Sequence, residues 1–466
     1  MEEIQLTKDQ QFAYDRMKDG YNIFLDGDAG TGKSFVLNKF INDMKLSKKN
    51  IVVVAPTGIA ATNINGVTFH RAFAYEAIPL VPSSQWRVKL SNTLKYADII
   101  IIDEISMIRR DAFDLFALQV QDVIKKREKG EIGGNHKGIQ IIVCGDFNQL
   151  PPVMNTRDLP VLQHYIPDIK NGYCFMSPLW KNFKFVHVKL NQVIRQKDEN
   201  YVIALRELKK GNLDAIRWFN QSITTPWDGE TLVLCATNKE VEEINKARLD
   251  KIDSKEYTYE ENVIKYSSDF KLSDSDRHND AIVMLKVGAR VMSLINDKSL
   301  RFQNGSVGTI VGIDDKSPDH AVTVKFDGNP EPCKIEYYSW KIQDYEASET
   351  SMKTKVVAEI EQIPLKLAYA LTIHKSQGKT YDHVAIKPDK IFTEGQLLVA
   401  LSRCTKVENM QLASKIETTR KVVKNYDGRI WEKDFPIKIV SQDVVNFYNS
   451  IDSYDMSGGL SINELW

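Results

Sequence analysis

The sequence is poor in cysteine and has no long apolar run. Its 466 residues include five widely separated cysteines with no C-x-x-C pair: Cys144, Cys174, Cys235, Cys333 and Cys404. An odd number of scattered cysteines favours reduced thiols and indicates no metal site built from cysteine. No apolar stretch approaches the roughly 18 residues of a membrane span. The first residues, MEEIQLTKDQ, show no signal or transit pattern. We therefore expect an intracellular protein without a membrane partner.

The chain also lacks net charge, because 62 basic residues balance 62 acidic ones. The protein as a whole has no attraction for polyanions, so any nucleic-acid binding must come from a local basic channel. Hydrophobic residues make up 42% of the chain and charged residues 27%, which is typical of an ordinary globular protein. At about 150 residues per domain, the length allows roughly three domains.

Apolar runs that alternate with helical patterns predict an α/β fold. The runs YNIFLDG, IVVVAP, DIIIIDE and IQIIVCGD are apolar on both faces, as central strands of a parallel sheet are when helices cover both sides. They predict a doubly wound first domain over 1–185. A second set of strands and helices occupies 186–285 and 363–425. Between its parts, 286–362 shows short alternating runs separated by Gly, Asp and Pro, typical of a small antiparallel barrel. No role is indicated for 426–466.

One short stretch carries the chemistry of a phosphate-binding loop. It fits G-x-x-x-x-G-K-[ST] after a strand-like run and before a helical one, through Gly27, Asp28, Ala29, Gly30, Thr31, Gly32, Lys33 and Ser34. Glycines let consecutive N–H groups and the positive helix end face a polyphosphate. Lys33 adds a charge near the β and γ phosphates, and Ser34 offers a hydroxyl to magnesium. The stretch predicts a nucleotide site that uses ATP and magnesium.

Other residues complete the predicted site for hydrolysis. Asp103 and Glu104 follow the run of four isoleucines, where the first acid can hold magnesium through water and the second can orient or deprotonate the attacking water. Gln149, in GDFNQLPP after the next strand, is a candidate sensor of the γ phosphate. Arg195 and Arg403 are candidates for neutralising charge in the transition state, because arginine stays charged and forks onto oxygens.

Taken together, these segments resemble the petite-integration-frequency (PIF) family of DNA helicases, in the RecD-like branch of superfamily 1B. The similarity runs from Leu6 to Thr405, through the segments GDAGTGKS, APTGIAATNINGVTFH, IIDEISM, CGDFNQLPPV, RFQNGSVGTI and LAYALTIHKSQGKT. The resemblance implies two RecA-like P-loop domains with ATP bound between them and a small SH3-like β-barrel inserted in the second. It also implies that Gln10 reads the adenine and that the main chain at Gly378 lies near the γ phosphate.

The same resemblance implies a groove for single-stranded DNA along both domains. It assigns to that groove Thr57, Phe69, His70, Thr372, His374 and Lys375. Residues 74–95, with Pro79, Pro82 and Trp86, fall where relatives carry a wedge that splits the duplex, although a plain surface loop is an equal interpretation. We expect a monomer of bacterial, phage or viral origin. The preferred structure stays open among junctions between single- and double-stranded DNA, RNA–DNA hybrids and G-quadruplexes.

The activity implied is that of an ATP-dependent DNA helicase that moves 5′ to 3′ on single-stranded DNA and unwinds duplex or structured DNA. ATP binding would bring Arg195 and Arg403 onto the phosphates, and hydrolysis would reopen the cleft. Two alternatives stay open at this point. One is a DNA-stimulated translocase that removes bound proteins with little unwinding. The other is a nucleotide-gated module that binds single-stranded DNA or loads a clamp.

Overall fold

The structure is a computed structural model. It describes residues 5–44, 49–75, 79–80, 90–133, 138–154, 158–194, 196, 198–268, 270–272, 276–297, 299, 301–314, 316, 321–347, 352–426, 429–437 and 439–451. The chain divides into two compact units. The first comprises Met1–Arg195, Gln343–Val356 and Gln442–Trp466, and the second comprises Gln196–Ile342 and Val357–Ser441. Within the described ranges, no helix combines the length and apolar character needed to cross a bilayer.

The first unit is built from short strands separated by helices. Its strands are β1 (Ile23–Gly27), β2 (Ile51–Ala55), β3 (Val67–Thr68), β4 (Ile99–Ile102), β5 (Gln140–Gly145) and β6 (Val186–Leu190). Its α-helices span Lys8–Lys18, Lys33–Met44, Gly58–Asn63, Phe69–Ala72, Asn92–Tyr96, Arg110–Glu128, Leu159–Tyr165 and Gln442–Ser450. Short 3-10 turns span Ile105–Met107, Cys174–Met176 and Trp180–Phe183.

The six strands form one parallel sheet in the order β3-β2-β4-β5-β1-β6. All four isoleucines of β4 are completely buried, because helices cover both faces of the sheet. The helix Arg110–Glu128 buries Phe113, Phe116 and Val120 on its inward face, as the helical spacing in the sequence predicts. The predicted α/β fold with a parallel core is therefore confirmed.

The predicted boundary at residue 185 divides this sheet incorrectly. Strand β6, which we assigned to the second domain, pairs along its whole length with β1 in the first unit. The local pattern of β6 marks it as a strand, but strand partners are chosen by pairing between distant segments, which periodicity does not encode.

The last described helix also belongs to the first unit. Gln442–Ser450 buries Val444 and Phe447 in the same hydrophobic core as Phe24 and Trp180. The sequence indicated no role for this part of the chain. The segment Gln343–Val356 also joins the first unit through a side chain. The hydroxyl of Tyr345 accepts a 2.8 Å hydrogen bond from the backbone N–H of Val53 in β2.

The second unit contains more strands and fewer helices. Its strands are β7 (Val233–Cys235), β8 (Glu256–Glu260), β9 (Asn262–Lys265), β10 (Ile282–Lys286), β11 (Arg290–Ser293), β12 (Val307–Ile313), β13 (Val322–Phe326), β14 (Cys333–Ile335), β15 (Tyr338–Ala347), β16 (Met352–Gln362), β17 (Leu365–Leu367), β18 (Ala370–Thr372), β19 (Val384–Ile386), β20 (Met410–Leu412), β21 (Thr419–Tyr426) and β22 (Arg429–Pro436). Strands β15 and β16 extend partly into Gln343–Val356, which belongs to the first unit. Its α-helices span Glu199–Lys209, Asp214–Ser222, Asn238–Asp250, Ile373–Ser376 and Gln396–Leu401, and a 3-10 turn spans Val407–Asn409.

Strands from the two distant parts of this unit form a second parallel sheet in the order β18-β7-β19-β20. Between them in sequence lies a five-stranded antiparallel sheet in the order β14-β13-β12-β11-β17. Its inward positions alternate with exposed ones, so Val322, Val324 and Phe326 are buried on one face. The predicted region 286–362 ends too early, because β17 supplies the edge strand next to β11.

Candidate active site

The carboxyl ends of the strands of the first sheet gather predicted nucleotide residues, together with Thr57 of the predicted DNA groove, at one edge. All six strands are parallel, so the segments that follow β1, β2, β4 and β5 leave the sheet on the same side. The phosphate-binding loop follows β1, Thr57 follows β2, Asp103 follows β4 and Gln149 follows β5. Sequence reasoning placed these residues on separate strands, and the parallel topology brings their backbones together.

The phosphate-binding loop has two positions that only glycine fits. A Cβ on Gly27 would lie 2.7 Å from Thr31 Oγ1 and 2.9 Å from the carbonyl oxygen of Leu190. Gly32 has a φ of 85°, and a Cβ there would lie 2.6 Å from Gln10 Nε2. The loop is therefore packed tightly against β6 on one side and the first helix on the other. This packing sets its backbone in a compact turn before the helix begins.

Lys33 lies over the loop that precedes it. Its Nζ donates hydrogen bonds to the carbonyl oxygens of Gly27, at 2.6 Å, and Asp28, at 3.2 Å. Ser34 is exposed in the first helical turn, while Thr31 is buried with its hydroxyl donating to the carbonyl of Asp28. The ammonium and the serine hydroxyl therefore stand at the start of one helix, where its dipole favours an anion.

The remaining loop residues, Ala29 and Gly30, are half-buried. The carbonyl of Gly30 accepts a hydrogen bond from the N–H of Ile194 at 2.9 Å. This bond fixes the crest of the loop to the segment that follows β6. The loop is thus held from both ends and at its centre.

Gln10 is locked in place beside the loop. It stands in the first turn of the helix Lys8–Lys18, where Thr7 caps the helix and forms a reciprocal capping box with it. Gln10 Oε1 accepts from the Thr7 N–H at 3.0 Å, and Nε2 donates to the carbonyl of Thr31 at 2.9 Å. Only 2% of the residue is exposed. Its amide orientation is therefore determined by the cap and the loop together.

Asp103 is a buried carboxylate at the end of β4. It accepts hydrogen bonds from the backbone N–H of Glu104, at 2.9 Å, and from the thiol of Cys144. Burial raises the pKa of Asp103, while the nearby charge of Lys33 opposes that shift. The thiol is a poor acid here, because burial raises its pKa well above the usual range. Sequence reasoning predicted only a reduced thiol at Cys144 and missed this contact.

Glu104 has an unusual backbone. Its φ of 50° and ψ of 46° lie in the left-handed region, which is costly for a residue with a Cβ. Such conformations persist where the surrounding structure imposes them, and they are frequent at active sites. The side chain is half-buried next to Asp103, so the two carboxylates have different environments.

The turn after β5 is organised around Asp146. One carboxylate oxygen accepts from the Asn148 N–H at 3.0 Å, and the other accepts from Gln149 Nε2 at 3.4 Å. The backbone N–H of Gln149 also donates to the carbonyl of Asp146 at 3.0 Å. All three residues are buried. Sequence reasoning found Gln149 but not the aspartate that holds its amide.

Arg403 does not present its donors to an open site. It is 1% exposed, and its Nε donates to the carbonyl of Val399 at 2.8 Å. One terminal nitrogen donates to the carbonyls of Ser376 and Lys379, and the other donates to Ser402 Oγ. In this conformation the guanidinium is engaged by protein oxygens, and its role towards phosphates stays a prediction. The sequence motif does not indicate that main-chain carbonyls accept hydrogen bonds from this guanidinium.

Two further residues, Gly378 and Arg195, were predicted for the nucleotide site. Gly378 lies in the segment that Arg403 holds, and its φ of 76° is a left-handed conformation natural to glycine. Arg195 lies outside the described residues.

Phe69 is a core residue, contrary to the expectation that it lines a groove. It is completely buried, and its ring lies 5.0 Å from Phe73 and 5.5 Å from Phe116, centroid to centroid. A ring enclosed by other aromatics offers no face to a base. His70, next to it, is half-buried, and burial lowers its pKa, so the imidazole is neutral at neutral pH.

Two predicted DNA contacts, Thr57 and Thr372, share a structural role. Each caps the N-terminus of a short helix after a parallel strand, and each hydroxyl accepts from a backbone N–H three residues later, at 3.3 Å and 3.2 Å respectively. Thr57 is half-buried and Thr372 is 5% exposed. The two sheets thus present equivalent strand–cap–helix corners.

A basic cluster surrounds the second of these corners. Exposed Lys375 lies near Lys366 and Lys379, and the carboxylate of Asp280 lies 2.7 Å from Lys366 Nζ and 4.0 Å from Lys375 Nζ. Burial and the two neighbouring ammonium groups lower the pKa of Lys379 to about 8. Sequence reasoning found only Lys375, although the motif TIHKSQGK ends in Lys379, four residues later.

His374 is half-buried in the same corner, and burial lowers its pKa. The predicted wedge is described only in part, since Pro82 and Trp86 lie outside the described residues. Of the rest, Leu80 is buried, and its backbone N–H donates to Asp111 Oδ2 at 2.8 Å.

Comparisons with known proteins agree with this arrangement. The family model described as PIF1-like helicase matches residues 5–246. The ATP-dependent DNA helicase Pif1 of Bdellovibrio bacteriovorus is 31% identical over 427 residues, covering 88% of each chain. The enzyme of the same name from Campylobacter jejuni is 29% identical over 423 residues, covering 86% of this chain and 90% of its own.

Solved structures extend the likeness to the fold. Bacteroides Pif1 with ADP-AlF4 superposes with a TM-score of 0.75 at 27% identity, covering 96% of this chain and 97% of that one. Bacteroides Pif1 bound to single-stranded DNA, and the structure of Pif1 helicases at forked double-stranded DNA, each give a TM-score of 0.61 at 30% identity, covering 89% of this chain and 93% of the other. The chain belongs to the PIF1-like helicase family and is an ATP-dependent DNA helicase.

Proposed function

We propose that this helicase moves 5′ to 3′ along single-stranded DNA and parts the duplex ahead of it. The observation that carries the proposal is the shared sheet edge, where the phosphate-binding loop, Asp103 and Gln149 follow neighbouring parallel strands. A basic cluster in the second unit supplies the charge for a phosphate backbone. The direction itself is inferred from the family resemblance.

In the nucleotide site, Lys33 pairs with the β and γ phosphates after leaving the carbonyls that it now contacts. The residues present fit a magnesium ion, since the hydroxyl of Ser34 and the carboxylate of Asp103 are hard oxygen donors. When bound, magnesium would supply positive charge that offsets the negative charge of the phosphates. The buried carboxylate of Asp103 favours a cationic neighbour, because burial disfavours its charged form when alone.

Glu104 is the residue we propose to orient or deprotonate the attacking water. Its backbone is in the left-handed region directly after β4, and the N–H that it donates to Asp103 ties the two acids together. Gln149 senses the γ phosphate by exchanging its bond with Asp146 for a phosphate oxygen or water. Gln10 reads the adenine from its fixed position beside Thr31.

Arg195 and Arg403 stay proposals for charge neutralisation in the transition state. In the described conformation, Arg403 supports the segment that contains Gly378, because its fork holds the carbonyls of Ser376 and Lys379. We propose that it exchanges these carbonyls for phosphate oxygens during the cycle.

We propose that DNA follows the two strand–cap–helix corners, at Thr57 and His70 in the first unit and at Thr372, His374 and Lys375 in the second. Three lysines outnumber the two carboxylates that act on them, Asp280 and Glu242, which gives this second corner a positive potential that suits a phosphate backbone. A neutral His374 can stack on a base or donate to it without adding charge. The finer architecture proposed is two RecA-like domains with an SH3-like insert, acting as a monomer.

Translocation on single-stranded DNA tests the direction without duplex. Oligonucleotides carrying a fluorophore at the 5′ or the 3′ end are mixed with the protein and ATP in stopped flow. The proposal expects a lag that grows with length when the dye is at the 3′ end, and a simple decay when it is at the 5′ end. The reverse pattern would refute the direction. Lys33→Ala provides a control without turnover, because the phosphate charge partner is lost.

A further inference from the structure

The helix Gln442–Ser450 contributes an aromatic pair that reaches the back of the nucleotide loop. Phe447 stacks on Phe175 with a centroid distance of 4.3 Å and an interplanar angle of 22°. It also meets Phe147 edge-on at 5.4 Å. These contacts anchor the helix in the core of the first unit and direct the adjacent Tyr448 towards the ends of β1 and β5.

The hydroxyl of Tyr448 joins two strand ends. It donates to Asp26 Oδ1 at 3.1 Å and accepts from the backbone N–H of Phe147 at 3.2 Å. Burial and the nearby carboxylates of Asp26 and Asp146 raise the pKa of this phenol well above its usual value, so it stays protonated and able to donate.

Both partners stand directly beside nucleotide motifs. Asp26 precedes Gly27, the first glycine of the phosphate-binding loop, and Phe147 follows Asp146 in the turn that holds Gln149. Strands β1 and β5 are neighbours, and their pairing ends at Asp26 opposite Gly145. The Tyr448 hydroxyl therefore bridges the two strands at the end of the ladder, through Asp26 in the last pair and through Phe147, two residues past the end of β5.

Asp26 is held on its other side as well. Its second carboxylate oxygen lies 3.3 Å from His187 Nε2, in strand β6 on the opposite flank of β1. The imidazole of His187 stacks on Phe24 at 5.0 Å with an interplanar angle of 14°. With the carboxylate completely buried, any change in the tyrosine bond is transmitted to β1 and is not absorbed by solvent.

We propose that Tyr448 is a positioning residue for ATP hydrolysis, which sets the separation between the phosphate-binding loop and the turn that carries Gln149. The inference rests on the proposed role of Gln149 as the γ-phosphate sensor. Sensing matters in the transition state, so the tyrosine affects the rate of hydrolysis more than nucleotide affinity. It gives the helix Gln442–Ser450 a role in hydrolysis without contact with ATP.

The test removes the hydroxyl and keeps the ring, with Tyr448→Phe in the full chain. We expect the DNA-stimulated kcat to fall about fivefold, as for the loss of one buried hydrogen bond, with KM for ATP unchanged. Affinity for ADP, measured by calorimetry, should stay within about twofold of the parent. The matched control is Tyr345→Phe, which removes another hydroxyl of the first unit, bonded to Val53 in the middle of β2. It should keep the parental kcat.

A double-mutant cycle separates positioning from a general loss of stability. Gln149→Ala alone should lower kcat, and adding Tyr448→Phe should lower it no further, because the tyrosine acts through Gln149. All rates are measured at a temperature well below the thermal unfolding midpoint of each variant. A parental kcat in Tyr448→Phe, or additive effects in the double variant, would overturn the inference while leaving the proposed site intact. A parental kcat in Gln149→Ala would overturn the sensor assignment and this inference together.

Discussion

Gln10 Nε2 donates a 2.9 Å hydrogen bond to the carbonyl of Thr31, which joins the first helix of the chain to the phosphate-binding loop. The same amide accepts from the Thr7 N–H through its oxygen. The glutamine therefore has one orientation before any nucleotide arrives. Such preorganisation reduces the entropy cost of recognising a base.

Removing this amide should weaken nucleotide binding. We expect Gln10→Ala to raise KM for ATP by about tenfold, because a preorganised hydrogen bond and the support of the loop are lost together. The neighbouring variant Gln11→Ala is the control, since Gln11 is exposed and its amide donates to Asp15 on the same helix. Steady-state ATPase assays at saturating DNA measure both. Equal KM values for the two variants would remove Gln10 from the site.

Glu104 should matter for turnover and not for binding. We expect Glu104→Gln to bind ATP with parental affinity and to hydrolyse it at least about 100-fold more slowly, since the group that orients the water is lost. Lys33→Ala should abolish turnover with the fold intact. The exposed Glu128→Gln is the control. Calorimetry and a phosphate-release assay give the two readings, and full turnover by Glu104→Gln would refute its assignment.

The basic cluster predicts a pH dependence of DNA binding. Lys379 has its pKa lowered to about 8, so in the free protein it loses its charge as the pH rises through about 8. DNA affinity should therefore fall between pH 7 and pH 9, and binding near pH 8 should take up a proton. The stability of the fold changes with pH in the opposite direction. Charging Lys379 in the folded protein lowers the free energy of unfolding, and this cost is fully present below about pH 8. It is relieved as the pH rises towards 10.5.

Lys379→Arg checks this prediction, because arginine stays charged over the whole range. Fluorescence anisotropy with a labelled oligonucleotide at pH 7, 8 and 9 should show a flatter profile for the variant than for the parent. Lys390→Arg serves as the control, since Lys390 lies elsewhere, near Glu240. Parallel profiles for all three proteins would exclude Lys379 from DNA binding.

Phe69 should prove to be a residue of stability. We expect Phe69→Leu to lower the free energy of unfolding by about 1 kcal/mol and Phe69→Ala by about 3–5 kcal/mol, because the ring is enclosed by other aromatics. The leucine variant should keep the parental half-saturating concentration of DNA in ATPase assays. His374→Ala should raise that concentration while nucleotide binding is unchanged. Urea denaturation supplies the stability reading, and a DNA defect in the leucine variant at full stability would restore Phe69 to the groove.

The sequence predicted the parts of the molecule that local patterns encode. Four runs of apolar residues predicted β1, β2, β4 and β5. The residue types at the ends of these strands predicted the phosphate-binding loop and the two acids that follow β4. What the sequence did not predict depends on distant pairing. Strand β6 joins β1, β17 joins β11, and the helix Gln442–Ser450 enters the first core, although no local pattern names these partners.

The site shows the same division. Residues with distinctive chemistry, such as Lys33 and Asp103, were found from their motifs. Their supporting partners were not found, because Cys144 and Tyr448 resemble ordinary core residues until the fold brings them to the strand ends. Phe69 was assigned to DNA by its motif, whereas burial places its ring in the core. A motif identifies which segment matters, and packing decides which way its side chains face.

Unwinding of paired tailed duplexes tests the central claim most directly. Two substrates share one duplex and carry a single-stranded tail on either the 5′ or the 3′ end, and strand separation is followed with ATP and with a non-hydrolysable analogue. We expect separation only from the 5′ tail and only with ATP. Unwinding from the 3′ tail alone would contradict the proposed direction, and separation with the analogue would contradict coupling to hydrolysis.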